Sequence, residues 1–421
     1  MITENCRQFL PAFLAAILAA TPLHSHGEEV RKKGLQVSGL VDTQLSFNDG
    51  EESWLQRGPG KFRYDESDSG DLQLNQLALG LRYSFNLESH IKIAAHYYPD
   101  PDSSVELTEA YWQHRSMNSK SWRSRYRIGA FHPEFSLENR GKFWTSPYTL
   151  NSSFINTWIG EEIRTIGAEG KWTWSGRDSK GTQHRVSFTG ALFGFNDPMG
   201  AMISWRGWAG HDRQTGINGT LPARELPILE PQPGGSELSP DFEPFMEIDD
   251  RPGYYLAATW ELPRTLEVQA VFYDNLADDE LLEDGQYGWR TWFYQIGAKW
   301  QLPGDFTLLS QVLRGNTIMN VDVVDNDFES AYLMLVKTHG RHRLAARWEY
   351  SEVIDLDDTD IDYNDEEGDA WTLAYSYLLP KNWKFSIEGT RRYSNQKSRI
   401  YFSEPTRMTE KQLLLSVRYY Y

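Results

Sequence analysis

A chain of 421 residues with 14% aromatic residues, among them 16 Trp and 22 Tyr, is long enough for several soluble domains or for one closed barrel. Its mean hydropathy of −0.58 makes it polar overall, and many rings on a polar chain suit strands with one apolar and one polar face. The formal net charge of −17 argues against nucleic acid as a partner, and the single cysteine, Cys6, excludes structural disulfides and Cys-ligated metal from the rest of the chain.

Near the start, Arg7 precedes an apolar run from Phe9 to Ala20. That run is short for a spanning helix and predicts a signal peptide over 1–27, cleaved between Thr21 and Gly27. An uncleaved anchor is the alternative. From residue 28 onward the pattern has period 2. In "LQVSGLVDTQLSF", Leu35, Val37, Val41, Leu45 and Phe47 face one way, and Gln36, Ser38, Asp42 and Gln44 the other. The alternation predicts sixteen strands, at 34–47, 71–88, 91–98, 105–115, 121–131, 164–175, 184–194, 254–262, 265–274, 289–302, 305–316, 327–338, 341–352, 369–379, 382–393 and 410–421.

The connections sort by parity. Short ones such as 88–90, 263–265, 303–305, 339–341 and 380–382 follow even strands, and long ones such as 48–70, 132–163, 195–253, 275–288, 317–326, 353–368 and 394–409 follow odd strands. This is the pattern of an all-β, antiparallel, up-and-down transmembrane barrel, with short periplasmic turns and long extracellular loops. Trp260, Trp300, Tyr377, Trp383, Tyr419 and Tyr421 then form a periplasmic aromatic girdle, and Tyr97, Tyr273 and Tyr350 join an outer one.

The chain ends "KQLLLSVRYYY", where Leu413, Leu415, Val417, Tyr419 and Tyr421 resemble the C-terminal signal of bacterial outer-membrane barrels. "YRIGAFHPEFSLENRG" is similar to a segment of phosphate-selective-type porins through Gly129, Phe131, Pro133, Phe135, Leu137 and Glu138, with Ser136 where that pattern has Gly. The resemblance implies a homotrimeric channel with an inward-folded loop narrowing the pore, exported to the outer membrane.

If the apolar face meets lipid, lumen parity selects Arg82, Arg123, Arg125, Arg127, Lys171, Lys299, Lys337, Arg343, Arg347, Lys384, Arg392 and Arg418. Arg123, Arg125 and Arg127 share one face of one strand and form either a ladder for anions or braces to lumen acids. Those acids are Glu106, Glu169, Glu267, Glu329, Glu349 and Glu388. The 132–163 connection is too apolar to stay in water and is expected to fold into the barrel mouth. Arg140, Lys142, Glu161, Glu162 and Arg164 would then lie near the narrowest point. The acidic stretch from Asp355 to Asp369 reads as a solvated outer loop bridged to lipopolysaccharide by divalent ions. No HExxH, GxSxG or Walker pattern appears, so no catalytic, cofactor or metal role is assigned. The expectation is a non-enzymatic porin passing small hydrophilic solutes or ions, anions slightly preferred. Its alternatives are a closed barrel whose outer loops bind a ligand or partner, and a barrel hydrolase.

Overall fold

A computed structural model describes residues 33–100, 104–116, 119, 121–231, 238–320 and 323–421. The expected signal peptide over 1–27 lies outside the described residues. The strands are, in chain order, β1 (Gly34–Asp49), β2 (Leu72–Ser84), β3 (Ser89–Tyr97), β4 (Val105–Ser116), β5 (Trp122–Phe131), β6 (Thr165–Arg177), β7 (Gln183–Gly194) and β8 (Gly253–Leu262). They continue with β9 (Leu266–Asp274), β10 (Arg290–Leu302), β11 (Phe306–Met319), β12 (Val324–His339), β13 (His342–Asp355), β14 (Glu366–Leu378), β15 (Trp383–Gln396) and β16 (Arg407–Tyr420). Each pairs antiparallel with the next. β1 also pairs with β16, from Leu40↔Tyr420 to Asp49↔Lys411, so the sheet closes into a sixteen-stranded barrel without a free edge. All sixteen strands form where the alternation puts them.

Short hairpins at one end join β2 to β3, β8 to β9, β10 to β11, β12 to β13 and β14 to β15. Left-handed residues make them tight, as at Gly304 (φ 75°) and Asp305 (φ 59°), and at Lys381 (φ 59°) and Asn382 (φ 65°). Most connections at the other end are long. The expected long connection at 317–326 is instead mostly strand, because β11 and β12 keep pairing as far as Met319↔Val324. Continued pairing satisfies their backbone groups above the membrane.

The outer face presents Ile128, Leu192, Leu256 and Ile296, each more than half exposed. Such a belt is stable against hydrocarbon, and a closed barrel of this kind belongs in the bacterial outer membrane. Among the described residues no helix is long and apolar enough to cross a membrane, so the crossing is made by strands. Trp260, Trp300 and Trp383 ring the short-turn end, with the Trp383 ring tilted 40° against that of Tyr419 at 4.7 Å.

Three orientations differ from the parity reading. Tyr273, expected in the outer girdle, is 1% exposed and points inward, stacking on Phe193 and Phe293 and donating to Asn196 Oδ1 at 2.7 Å. Glu329 and Lys337, expected in the lumen, face outward, and the inward residues of β12 include Phe328, Tyr332, Met334 and Val336. The rule that the lumen face is polar holds only where the lumen holds water. On β9 to β12 it holds packed protein.

Candidate functional site

The connection 132–163 folds into the barrel. Phe135, Leu137, Phe154, Ile155, Trp158 and Ile159 are at most 2% exposed and pack against inward side chains that include Tyr255, Phe293, Leu309 and Phe328. Burying each large apolar side chain contributes about 1.5–3 kcal/mol, and this outweighs leaving the segment in solvent. Gly129 lets the chain turn inward. Its φ is +123°, and a Cβ there would meet the Ala110 carbonyl oxygen at 2.3 Å. Three wall glutamines then catch the backbone. Gln269 donates to the Glu134 carbonyl (2.7 Å), while Gln295 (2.8 Å) and Gln311 (3.1 Å) donate to that of Phe135. Gln311 Oε1 also accepts the Leu137 N–H at 3.0 Å. Helix α1 (Phe154–Glu162) begins at Ser153, whose hydroxyl accepts the Asn156 N–H and caps the first turn. Trp158 wedges its ring 5.1 Å from Phe328, 5.5 Å from Phe293 and 6.0 Å from Trp208.

Charge holds the opposite side of this loop. Glu138 is fully buried and accepts from Thr149 Oγ1, the Ser153 N–H and Asn156 Nδ2, each at 3.0 Å. Arg347 pairs with Glu138 at 2.6 Å and with Glu349 at 2.7 Å, and donates to the carbonyls of Asn151 (3.0 Å) and Ser152 (3.1 Å). Glu349 accepts the Phe154 N–H at 2.8 Å, and Glu388 that of Asn151 at 3.0 Å. A guanidinium offers five donors in one plane, so a single wall arginine can both bridge two carboxylates and hold two carbonyls.

A second segment enters beside α1. Residues 206–216 belong to the long connection between β7 and β8. Arg206 pairs bidentately with Glu161 at 2.7 and 2.6 Å, and His211 Nε2 lies 2.9 Å from the same carboxylate. Burial alone would raise the Glu161 carboxyl, but Arg206 and His211 outweigh it and hold it down at about 2. Its neighbour Glu162 is pushed up to about 7, chiefly by burial. Arg213 reaches Asp100 (2.7 Å) and Glu106 (2.8 Å). Towards the long-loop end, Trp54, Trp205, Leu229, Phe242 and Trp289 form a second apolar core that lids the mouth. Lumen side chains at these levels are buried, including Arg347, Arg392 and Arg418.

The short-turn side is open. A cavity of about 470 Å³ has Glu134, Arg140, Lys142 and Trp144 of the inserted loop as its floor and Lys92, Lys171, Glu261 and Glu267 among its walls. The expected lining residues divide here. Arg125 pairs with Glu134 and, at 3.0 Å, with Glu169. Arg127 pairs with Glu169 at 2.9 and 2.8 Å, and Tyr255 donates to that carboxylate at 2.6 Å. Lys171 pairs with Glu134 at 2.9 Å. Arg123 is exposed near the rim, and Arg82 is half-buried beside Lys92 in the ladder. This row therefore braces the wall more than it meets solvent.

Arg140 and Lys142 face the cavity, Arg140 through a bidentate pair with Glu267 at 2.7 Å. Glu161, Glu162 and Arg164, expected beside them at the narrowest point, are instead at most 1% exposed inside the packed plug. Arg164 donates there to the Thr215 carbonyl at 2.6 Å. The alternating hydrophobicity of α1 cannot reveal this, because the helix is buried on every side. Lys299 and Arg343 lie 5.7 and 5.5 Å from the Tyr148 ring centroid. Arg343 donates to the Pro147 carbonyl at 2.6 Å and Lys384 to the same oxygen at 3.3 Å.

Charge is unequal on this side. The four carboxylates lining the cavity, Glu109, Glu134, Glu261 and Glu267, all have cationic partners. Among the described residues, Lys142, Lys299, Arg343 and Lys384 have no carboxylate in ion-pair contact. The parity reading did not single out the glutamine rungs Gln269, Gln295 and Gln311, although three polar residues on the inward face of neighbouring strands are a signal it could have used. Asp212, Asn75 and Gln76, which meet inside the lumen, carry no such signal, since Asp212 lies in irregular chain.

The fold is the one seen in sixteen-stranded outer-membrane porins. No protein-family model and no curated protein sequence matches the chain. Among solved structures it is similar to the outer-membrane channel DcaP of Acinetobacter baumannii, at 10% identity and TM-score 0.50 over 92% of this chain and 97% of that one. It is similar also to OmpF of Salmonella typhi in complex with daunomycin, at 11% identity and TM-score 0.50 over 92% and 97%. OmpT, an outer-membrane protein of Vibrio cholerae folded in vitro, matches at 10% identity and TM-score 0.50 over 94% and 100%. Likeness at these identities establishes the fold.

Proposed function

We propose that the protein is a non-enzymatic porin whose lumen passes small hydrophilic solutes, anions before cations, and that the inserted segments keep it closed for most of the time. The observation that carries this reading is the charged cavity inside a closed barrel, whose four acids are all paired while Lys142 on its floor is not. Outside that cavity, Lys299, Arg343 and Lys384 gather around Pro147 and Tyr148 of the same loop, also without a carboxylate in contact. Rings of unpaired Lys and Arg favour anions in a pore. Assembly as a homotrimer in contact with lipid and lipopolysaccharide belongs to the same proposal. Planar-bilayer recording of the refolded, heat-modifiable barrel under a KCl gradient tests it. Brief ohmic openings with a reversal potential on the anion side are expected.

A second reading has its own observation. The apolar core at the outer mouth, built on Trp54, Trp205 and Trp289, gives the long loops a fixed shape of the kind a binding surface needs. A folded barrel that never conducts would remove the channel and leave the outer loops as a receptor for a ligand or partner.

A further inference from the structure

Asp212 sits on the inserted segment inside the lumen, and four donors converge on its carboxylate. Asn75 Nδ2 donates at 2.8 Å, Gln76 Nε2 at 3.0 Å and Arg418 Nη2 at 3.2 Å, and Arg63 Nη1 lies 3.5 Å away. The donors come from β2, β16 and the connection between β1 and β2, whereas Asp212 comes from the connection between β7 and β8. Both guanidiniums are fixed from behind, Arg418 by Asp42 at 2.7 Å and Arg63 by Asp100 at 2.8 Å. Arg418 is fully buried and its Nη1 has no partner, so the wall holds more donors than Asp212 uses. Lys384 lies next to Arg418 in the ladder and has no carboxylate in contact.

We infer that this wall is an anion-binding station and that Asp212 occupies it as a tethered surrogate for the carboxylate of a solute. The inference rests on the channel reading and deepens it by naming the solute class as small carboxylates. A brace needs one partner of opposite sign. Here one carboxylate takes a fork of charged and amide donors, which is how a protein recognises a free carboxylate. Of the flanking residues, His211 lies 2.9 Å from Glu161, and Arg213 pairs with Asp100 and Glu106. Residues 210–213, Gly-His-Asp-Arg, carry no apolar side chain, so a lift of this stretch that re-pairs its charges with solute ions exposes no hydrophobic surface of its own. Once lifted, it uncovers Arg418, Arg63, Asn75 and Gln76 to an incoming anion, and its return expels that anion.

The test uses the full refolded chain with Asp212→Ala and acetate as probe, against chloride at equal ionic strength. Two readouts are taken, the midpoint of heat modification in detergent and the bilayer current. Acetate is expected to raise the midpoint of the variant by about 2 °C and to leave the unaltered protein unmoved, because a ligand stabilises only a vacant site. The variant is expected to conduct more than the unaltered protein, and acetate to cut that current by about half or more. If the alanine variant does not fold, Asp212→Ser also vacates the donors while keeping a small polar side chain, and must show the same acetate dependence. A folded variant indifferent to acetate in both readouts makes Asp212 a brace and overturns the station. The midpoint needs no conductance. A variant that binds acetate but never conducts keeps the station and overturns the channel.

Discussion

Burial decides what each charged residue is worth. Glu138 and Arg347 are both out of solvent, and Glu138 also satisfies Thr149, Ser153 and Asn156. Removing one member of such a pair leaves an uncompensated charge, which costs about 3–5 kcal/mol. Glu138→Ala is therefore expected to lower the denaturant midpoint sharply and to expose the 149–156 stretch to proteases. Arg314 and Asp327 lie 3.3 Å apart on the outer face, with the arginine side chain 66% exposed. Breaking an exposed pair of that kind changes stability by about 0–1 kcal/mol, so Arg314→Ala is expected to melt with the unaltered protein. Equal losses in the two variants, measured in parallel urea titrations, would contradict this ranking. The same logic covers Arg127, whose two contacts with Glu169 are buried. Its loss is expected to show first as instability and only then as a change in selectivity.

Two elements set how firmly the lumen is filled. Helix α1 depends on Trp158, and Trp158→Ala leaves a void among Phe293, Phe328 and Trp208 that costs about 3–5 kcal/mol. More frequent openings in bilayer recordings are the expected signature, and an unchanged open frequency would show that α1 is not what closes the lumen. The outer lid responds to pH through Asp362, which accepts from Asn364 Nδ2 (2.8 Å) and Trp205 Nε1 (3.4 Å). Burial, then its neighbours Asp357 and Asp355, push its carboxyl up to about 7. The folded lid thus holds a proton that the unfolded segment releases near pH 4. The stabilisation from this group is complete below about pH 4 and is lost as pH rises through about 7. Hydrogen exchange at 356–365 is expected to slow on going from pH 8 to pH 5, after correction for the intrinsic rate. Asp362→Asn is expected to reduce that dependence to the part carried by Asp355, which burial pushes up to about 6. The strands themselves were legible in the sequence, because a period of 2 survives whatever covers either face. Orientation was legible only on strands with one apolar side. Phe328, Tyr332, Met334 and Val336 of β12 point inward because they pack on the plug, and this turns Glu329 and Lys337 outward. The motif from Gly129 to Glu138 announced the inserted loop, since its aromatic and aliphatic residues needed burial. Contacts such as Glu161 with Arg206 join irregular segments far apart in the chain, and no periodicity encodes them.

Over the whole molecule, acid and base are separated along the barrel axis. The net charge is −17, and carboxylates such as Asp357, Asp358 and Asp360 lie in the outer loops. The unpaired cations Lys142, Lys299, Arg343 and Lys384 lie on the periplasmic side of the inserted loop. An outer acidic rim gathers cations at the mouth, while the confined cations repel them where the path is narrow. Fields are strongest in confined, poorly solvated passages, so the inner charges are expected to set selectivity and the rim to modulate entry rate. Replacing Lys299, Arg343 and Lys384 together by Gln removes three of the four without stranding a carboxylate, so the fold is expected to survive. The reversal potential of this variant is expected to move towards the cation side. The shift should be large at ~0.1 M KCl, where screening acts over ~10 Å, and small at ~1 M, where it acts over ~3 Å. Replacing Asp357, Asp358 and Asp360 by Asn is expected to leave the reversal potential in place and change only the current at low salt. If the rim variant moves the reversal potential and the vestibule variant does not, selectivity resides in the outer lid, and the periplasmic cations serve only to hold Pro147 and Tyr148 in place.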